Sequence, residues 1–131
     1  MSVSYNFLQD CQVFYVLTVE NGCPCGRPFG AVMEYKGDLY ISTDTSKAVY
    51  RQMVANPNVQ LLALKNGTRN WVRISGKAFE CADLTVKQKM LENCPVLTRH
   101  YSSADYPSFA VFKITDKHAH LSTNDGVSEI D

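Results

Sequence analysis

The fold is decided by one stretch of the sequence, RPFGAVMEYKGDLYISTDTSKAVYRQMVANPNVQLLA at residues 27–63, whose pattern changes halfway. Residues 27–35 and 39–43 are rich in apolar, aromatic and β-branched side chains, which is typical of strands. The Lys-Gly-Asp sequence between them, at 36–38, favours a tight turn. The first half of the stretch therefore predicts a β-hairpin.

The second half of the stretch predicts a helix over 44–56. Its first residues, Asp-Thr-Ser, are of the types that cap helices. Val49 and Met53, and likewise Tyr50 and Val54, recur at the four-residue spacing that places side chains on one face of a helix. This helix makes the one long crossover between neighbouring strands.

Short strands and turns alternate through the rest of the chain. A glycine inside a strand, at Gly76, predicts a bulge or a bend. Because most connections are short, we expect a largely antiparallel sheet that curls into a small barrel with helices packed outside. The further elements predicted are strands at 13–19, 58–65, 70–82, 108–114 and 118–123, a turn at 20–26, a helix at 83–94 capped by Asp83, irregular or partly helical structure at 95–107, and a polar tail.

The composition predicts one domain, residues 1–131, in a cytoplasmic protein. A chain of 131 residues suits a single core, no stretch approaches the ~20 apolar residues of a membrane helix, and the first residues lack a signal-peptide pattern. The net charge is zero, but residues 1–79 carry 8 basic and 5 acidic side chains, whereas residues 80–131 carry 5 and 8. No strongly basic face for nucleic-acid binding is expected, which leaves room for a local anion site.

The five cysteines do not form a recognisable metal or redox motif. Cys23 and Cys25 are one residue apart, whereas zinc pairs and thioredoxin-type dithiols are usually separated by two or more residues. An odd number of cysteines also argues against a disulfide framework. We therefore expect reduced thiols in a loop, and no metal site.

The three histidines allow two interpretations. His118 and His120 lie two apart on a predicted strand and so face the same side, where they could chelate a metal if a third ligand joined them. Solvated surface histidines are the alternative. The motifs G-x-S-x-G, G-x-G-x-x-G and the Walker loop are absent, and the scattered carboxylates suggest no acid/base pair.

Basic and hydroxyl side chains converge around the start of the first predicted helix. Ser42 and Thr43 end one strand, Thr45–Ser46 and Lys47 enter the helix, and Arg27 begins the neighbouring strand. The unpaired N–H groups and positive dipole end of a helix favour an anion, and an arginine can fork onto phosphate oxygens. Phosphate binding and simple capping by Thr45 or Ser46 are both consistent with this pattern.

The stretch at 27–63, followed by WVRISGKAFE at 71–80, resembles the pyridoxamine 5′-phosphate oxidase-like superfamily of FMN-binding split barrels. It is most similar to the small single-domain members, which include relatives of 5-nitroimidazole reductases. The signatures are the strand-initial Arg-Pro, the Ser/Thr-to-Lys segment before Asn-Pro-Asn-Val, and the Ser-Gly-Lys-Ala strand. The resemblance implies a six-stranded, Greek-key-like split β-barrel that forms a homodimer with FMN at the subunit interface.

The resemblance also implies which residues contact the cofactor. Arg27 and Lys47 match residues that hold the FMN phosphate, and Ser42 and Thr43 match residues near the phosphate and ribityl chain. The strand of Pro28, Phe29 and Gly30 lines the isoalloxazine ring, and Trp71 and Arg73 face the flavin from the other subunit.

The function implied by the resemblance is that of an FMN-dependent oxidoreductase with a small-molecule substrate and a donor such as NAD(P)H. The chain has no arginine after Arg99 and an acidic tail, unlike the substrate-gripping extension of true pyridoxamine phosphate oxidases. A non-catalytic flavin-binding protein, or a heme or tetrapyrrole binder on the same barrel, is the alternative. Tyr101 and Tyr106 either shape a substrate pocket or pack in the core.

Overall fold

The computed structural model describes all 131 residues, and it confirms a mainly β chain with flanking helices. Eight strands form one antiparallel sheet. The helices are α1 (Val3–Cys11), α2 (Ala48–Ala55) and α3 (Leu84–Asn93), with a 3-10 helix at Pro95–Arg99; the strands are β1 (Phe14–Glu20), β2 (Cys23–Phe29), β3 (Val32–Tyr35), β4 (Asp38–Asp44), β5 (Asn58–Leu64), β6 (Trp71–Cys81), β7 (Phe109–Thr123) and β8 (Gly126–Ile130).

The strand order forces the sheet to curl. The order is β2-β1-β5-β6-β7-β4-β3, with β8 paired to the second half of β7. The two end strands, β2 and β3, follow each other in sequence and are joined by only Gly30 and Ala31. A two-residue link cannot span a flat sheet seven strands wide, because strands lie ~4.8 Å apart. The first and last strands therefore meet at this corner, which closes one end of a barrel.

Apolar side chains fill both sides of the sheet. Nineteen buried residues, among them Phe14, Ile41 and Ile74, form the core inside the curled sheet, where α1 and α2 cover it. A second cluster of ten buried residues, which includes Met90 and Tyr101, lies outside β3, β4 and β7 under α3 and the 3-10 helix. No helix is long and apolar enough to cross a membrane.

The structure corrects two predicted elements in the first hairpins. The strand predicted at 27–35 breaks at Gly30 and Ala31 and becomes β2 and β3. The turn predicted at 20–26 is only Asn21-Gly22, and Cys23 and Cys25 belong to β2. Both turn residues have positive φ, 52° and 76°, which suits the primed turns that close two-residue hairpins.

The C-terminal part of the chain also differs from the prediction. The strands predicted at 108–114 and 118–123 are one continuous strand, β7, in which Asp116 takes a positive φ of 52°. The predicted polar tail contains β8, whose side chains are mostly exposed and so carry no alternating pattern. Helix α1 was also not predicted from the sequence, although Ser2 caps it.

The buried face of α2 is not the one that its apolar spacing predicts. Val49 and Met53 are buried, as expected, but Val54 is 60% exposed. Gln52 is buried instead, with 5% of its surface exposed. A polar side chain therefore points from this helix into the barrel.

The predicted bulge at Gly76 is confirmed, because the pairing of β6 with β7 shifts register between Ser75 and Lys77. A Cβ at Gly76 would lie 2.8 Å from the carbonyl oxygen of Thr115 and 2.9 Å from Cγ2 of Ile114. The bulge thus leaves no room for a side chain.

We expect Gly76→Ala to lower the free energy of unfolding by about 1–3 kcal/mol, as overpacking does. Gly26→Ala is the matched control, since its Cβ would meet only Leu17 at 3.7 Å and 3.8 Å. That variant should stay within about 0.5 kcal/mol of the wild type. Denaturant unfolding measures both, and equal losses would contradict the close approach at Gly76.

Candidate functional site

A pocket of about 360 Å³ lies where β2 and β4 end and α2 begins, next to the 3-10 helix. Its volume lies within the usual range for small-molecule sites. Seven of the nine residues that the sequence singles out line it: Arg27, Pro28, Phe29, Gly30, Ser42, Thr43 and Lys47.

Strand pairing explains why Arg27 faces inward. It lies opposite Val16, and Phe29 lies opposite Phe14, so both share the buried face of β1. The rings of Phe14 and Phe29 pack 6.1 Å apart. Arg27 is thus carried by an edge strand into the mouth of the barrel, beside α2.

The guanidinium of Arg27 is held by neutral acceptors. Its Nη1 donates to Thr18 Oγ1 at 2.8 Å and to the Val16 carbonyl at 3.2 Å, and its Nη2 donates to Gln52 Oε1 at 2.6 Å. Thr18 and Gln52 are 1% and 5% exposed. The orientation of Arg27 is therefore set before any ligand arrives.

Arg27 nevertheless has no acidic partner. Its contacts include no ion pair, and burial lowers the pKa of its guanidinium. Of its five N–H groups, Nε–H and one hydrogen of Nη2 have no acceptor within the chain. A partly buried cation with free donors in a pocket favours an anionic ligand.

The strand end opposite Arg27 supplies further free polar groups. Ser42 and Thr43 are 8% and 7% exposed, and neither hydroxyl is hydrogen-bonded within the chain. Lys47 is exposed and forms no salt bridge. The pocket thus offers two hydroxyls and a second cation to a ligand.

Simple capping, the alternative for this segment, is wrong. The N-cap of α2 is Lys47, and no side chain caps the helix. Ser46 instead donates to Asp44, through its N–H at 3.0 Å and its hydroxyl at 2.6 Å. The first N–H groups of α2 are therefore left without a side-chain partner, as an anion site requires.

Asp44 connects the strand end to the wall of the pocket. Besides Ser46, it accepts hydrogen bonds from Tyr101 Oη at 3.0 Å and Ser108 Oγ at 2.9 Å. The hydrogen bonds from Ser46, ahead of those from Ser108 and Tyr101, hold the pKa of Asp44 well below its usual range. Burial and the Asp44 carboxylate raise the pKa of Tyr101 to about 12.

Six lining residues were not assigned to the site from the sequence. Tyr101 lines the pocket and also packs in the outer core, stacked on Phe109 at 4.7 Å, so its packing role is confirmed and a role toward a substrate stays a prediction. Tyr106 packs on Tyr101 outside the pocket. Four of the six lie in the irregular stretch at 95–107, which carries no periodic signal that could have placed them. The six are Ala31, Val49, Val96, Leu97, His100 and Tyr101.

Trp71 and Arg73 lie elsewhere in the same chain. They sit half-buried on the outer face of β6, with the Arg73 guanidinium 5.3 Å from the Trp71 ring. Arg73 pairs across the sheet with Leu62 on one side and His120 on the other. Any contact of this pair with a ligand in the pocket therefore requires a second chain.

The remaining histidines and cysteines do not form a cluster. His118 lies 4.0 Å from Glu129, and His120 has a buried Nδ1 without a hydrogen-bond partner. No group of three or more His, Cys, Asp or Glu side chains could hold a metal ion. All five cysteines are free, Cys23 exposed and Cys25 half-buried.

A second, larger cleft of about 720 Å³ contains none of the nine predicted residues. It is open, and its charged groups have both signs, with Lys77 and Asp116 beside His118. The smaller pocket is the better candidate because its only permanent charges are cationic and because its free donors converge.

Comparisons with known proteins agree with the resemblance. The sequence profile described as pyridoxamine 5′-phosphate oxidase matches residues 5–122. A NimC/NimA family protein from Clostridium acetobutylicum is 34% identical, with a TM-score of 0.89 over 96% of this chain and 90% of that chain. No curated protein matches the sequence.

More distant solved structures share the fold alone. General Stress Protein 26 from Bacillus anthracis is 21% identical, with a TM-score of 0.77 over 95% of this chain and 94% of that chain. A heme binding protein from Mycobacterium smegmatis is 13% identical, with a TM-score of 0.75 over 94% of this chain and 54% of that one. The split-barrel fold class is thereby confirmed.

The contact between Tyr101 and Asp44 predicts a pH-dependent loss of stability. We expect Tyr101→Phe to lower the free energy of unfolding by about 1.5–3 kcal/mol at pH 7, since a hydrogen bond to a carboxylate is lost. A depressed native pKa stabilises the fold above the unfolded-state value of about 3.9. That contribution disappears as the pH falls through the native value, so the difference between the two proteins should narrow in acid.

Tyr106→Phe is the matched control, because Tyr106 is 39% exposed and its hydroxyl makes no hydrogen bond within the chain. It should unfold like the wild type at every pH. Denaturant titrations from pH 7 down to about pH 1, well below the ordinary carboxyl pKa of about 3.9, compare the three proteins. A Tyr101→Phe deficit that is constant with pH would contradict the assignment.

Proposed function

The chain belongs to the pyridoxamine 5′-phosphate oxidase family, and from that premise we propose that it binds FMN in the pocket between β2, β4 and α2. We further propose that residues 1–131 form one FMN-binding domain that works as an oxidoreductase on a small molecule. The family supports flavin or heme binding in general, and the charges of the pocket support the more specific choice.

One observation carries the proposal: the pocket has two permanent cations and no carboxylate. Arg27 and Lys47 line it, and Asp44, which follows Thr43 in the chain, already accepts four hydrogen bonds and does not line it. A phosphate monoester carries close to two negative charges at neutral pH. The residues present therefore fit the phosphate of FMN.

The rest of the pocket suits the remainder of such a ligand. The free hydroxyls of Ser42 and Thr43 would bond the phosphate or the ribityl chain. Pro28, Phe29 and Gly30 would lie along the isoalloxazine ring, and Val96 and Leu97 add apolar wall. Hydrogen bonds at one end and apolar surface at the other are what an amphipathic cofactor needs.

We propose a homodimer because the outer face of the sheet carries exposed apolar side chains. Tyr15 and Leu64 are 51% and 60% exposed there, beside the half-buried Trp71 and Arg73. Exposed apolar side chains grouped on one face are typical of interfaces. A partner chain that docks on this face would bring Trp71 and Arg73 to the flavin.

The chemistry needs little from the side chains. When bound, FMN supplies hydride or electron transfer at N5, with a donor such as NAD(P)H. The chain's own residues anchor the phosphate, orient the ring and exclude water. No carboxylate or thiol lines the pocket, so no side-chain acid, base or nucleophile is assigned to the reaction.

A heme or tetrapyrrole binder is the second candidate. It is favoured by one feature, the imidazole of His100 on the rim of the pocket, since histidine is a common axial ligand. The fold is also shared with the heme binding protein from Mycobacterium smegmatis. The absorption spectrum after loading with FMN or with heme distinguishes the two, as does reduction of the bound flavin by NAD(P)H followed by reoxidation by a nitroaromatic or quinone.

We expect Arg27→Ala and Lys47→Ala each to weaken FMN binding by about 1.5–3 kcal/mol, the usual worth of a charge-assisted hydrogen bond. Fluorescence titration of the apoprotein measures the affinity. Arg69→Ala is the control, because Arg69 is exposed and lies outside the pocket. Unchanged affinity in both pocket variants would remove the site assignment.

The dimer model predicts that dilution dissociates the dimer into monomers and releases the flavin at the same time. Arg73→Glu should weaken both self-association and FMN binding, because one side chain would serve the interface and the cofactor. Analytical ultracentrifugation that follows flavin absorbance across a dilution series measures both. Lys36→Glu, an exposed substitution in the 36–37 turn, is the control. Flavin bound stoichiometrically to a monomer would contradict the interface model.

A further inference from the structure

We infer that Gln52 and Thr18 are positioning residues that aim Arg27 at the phosphate, and that the neutrality of Gln52 makes the site select FMN over riboflavin. The inference rests on the proposed function, because it concerns the phosphate end of the same pocket. It assigns a role to two buried polar side chains that would not themselves touch the cofactor.

The contacts around Gln52 form a complete buried network. Its Oε1 accepts from Arg27 Nη2 at 2.6 Å and from the Thr18 hydroxyl, and Thr18 also accepts from Arg27 Nη1 at 2.8 Å. The three side chains thus close a ring of hydrogen bonds. A buried polar group is costly unless it is bonded, and Gln52 and Thr18, the two buried members of the ring, are both bonded, which favours a single arrangement.

The Gln52 amide can face only one way. Its Nε2 donates to Glu20 Oε2 at 3.1 Å, and Glu20 Oε1 is held by Arg51 Nη2 at 3.1 Å. Because a carboxylate accepts and cannot donate, Nε2 must point to Glu20 and Oε1 must point to Arg27. The ion pair of Glu20 and Arg51 on the surface therefore fixes the orientation of the Gln52 amide, which lies between that pair and the pocket.

Because residue 52 carries a neutral amide and not a carboxylate, the site keeps the positive charge of Arg27. A carboxylate at position 52 would also accept from Arg27 and, when ionised, would cancel its charge, although it would lose the bond to Glu20 and face that carboxylate instead. Thr18, the Val16 carbonyl and Gln52 hold the guanidinium without neutralising it. The Nε–H and the remaining Nη2 hydrogen, which have no acceptor within the chain, are then available to a ligand as charged donors.

The near-isosteric variant Gln52→Glu tests this directly. We expect the dissociation constant for FMN to rise about 10- to 100-fold, the range of a lost charge-assisted bond. The constant for riboflavin, which lacks the phosphate, should change less than about twofold. A structural role alone would weaken both flavins together, so the ratio of the two constants is the decisive readout.

Gln88→Glu is the matched control. Gln88 is exposed on α3 and its Nε2 donates to Glu92 Oε2 at 3.2 Å, so the same change occurs beside a carboxylate far from the pocket. It should leave both dissociation constants unchanged. Circular dichroism and a melting curve on each variant establish that it is folded.

Thr18→Val provides a second variant of nearly unchanged shape, should Gln52→Glu not fold. It removes one acceptor from Arg27 and should also lower the preference for FMN over riboflavin, to a smaller degree. A wild type that binds neither flavin overturns the proposed function and this inference with it. Wild-type binding together with an unchanged preference in the folded variants overturns this inference alone.

Discussion

The two-residue link at Gly30 and Ala31 is the constraint on which the rest of the structure depends. It joins β2 to β3, which lie at opposite ends of the sheet order, so the sheet can form only if it curls until its ends meet. That closure places Arg27 on β2 near the end of β4 and the start of α2. The corner that closes the barrel is therefore also the corner where the polar groups of the site converge.

The charges near this corner are arranged so that its cations stay unpaired. Asp44 accepts four hydrogen bonds from other groups, and Glu20 binds Arg51 and Gln52, so neither carboxylate pairs with Arg27 or Lys47. Holding a guanidinium with neutral acceptors costs stability, because a partly buried cation without a counter-ion is unfavourable. An anionic ligand would offset that cost, which links the energetics of the fold to the proposed cofactor.

The local part of this arrangement could be predicted from the sequence, and the non-local part could not. Ser42 and Lys47 stand near a strand end and a helix start, where residue type and position allow an anion site or simple capping, and the family resemblance adds Arg27 to the anion site. The burial of Gln52 could not be predicted, because Val54 on the same helix is the more apolar residue. Only the closed barrel determines which side of α2 is buried. His100 and Tyr101 reach the pocket from an irregular segment whose position depends on α3 and Asp44.

Within a single chain, the proposed site has most of its phosphate contacts but lacks Trp71 and Arg73, which are proposed to contact the ring. Donors and cations converge around Arg27, whereas Trp71 and Arg73 lie on another face of the sheet. Phosphate recognition would then be a property of the monomer, and ring recognition a property of the assembly. Since the ring carries the redox chemistry and its contacts would be completed only by a partner chain, subunit association would govern both retention of the flavin and its reactivity.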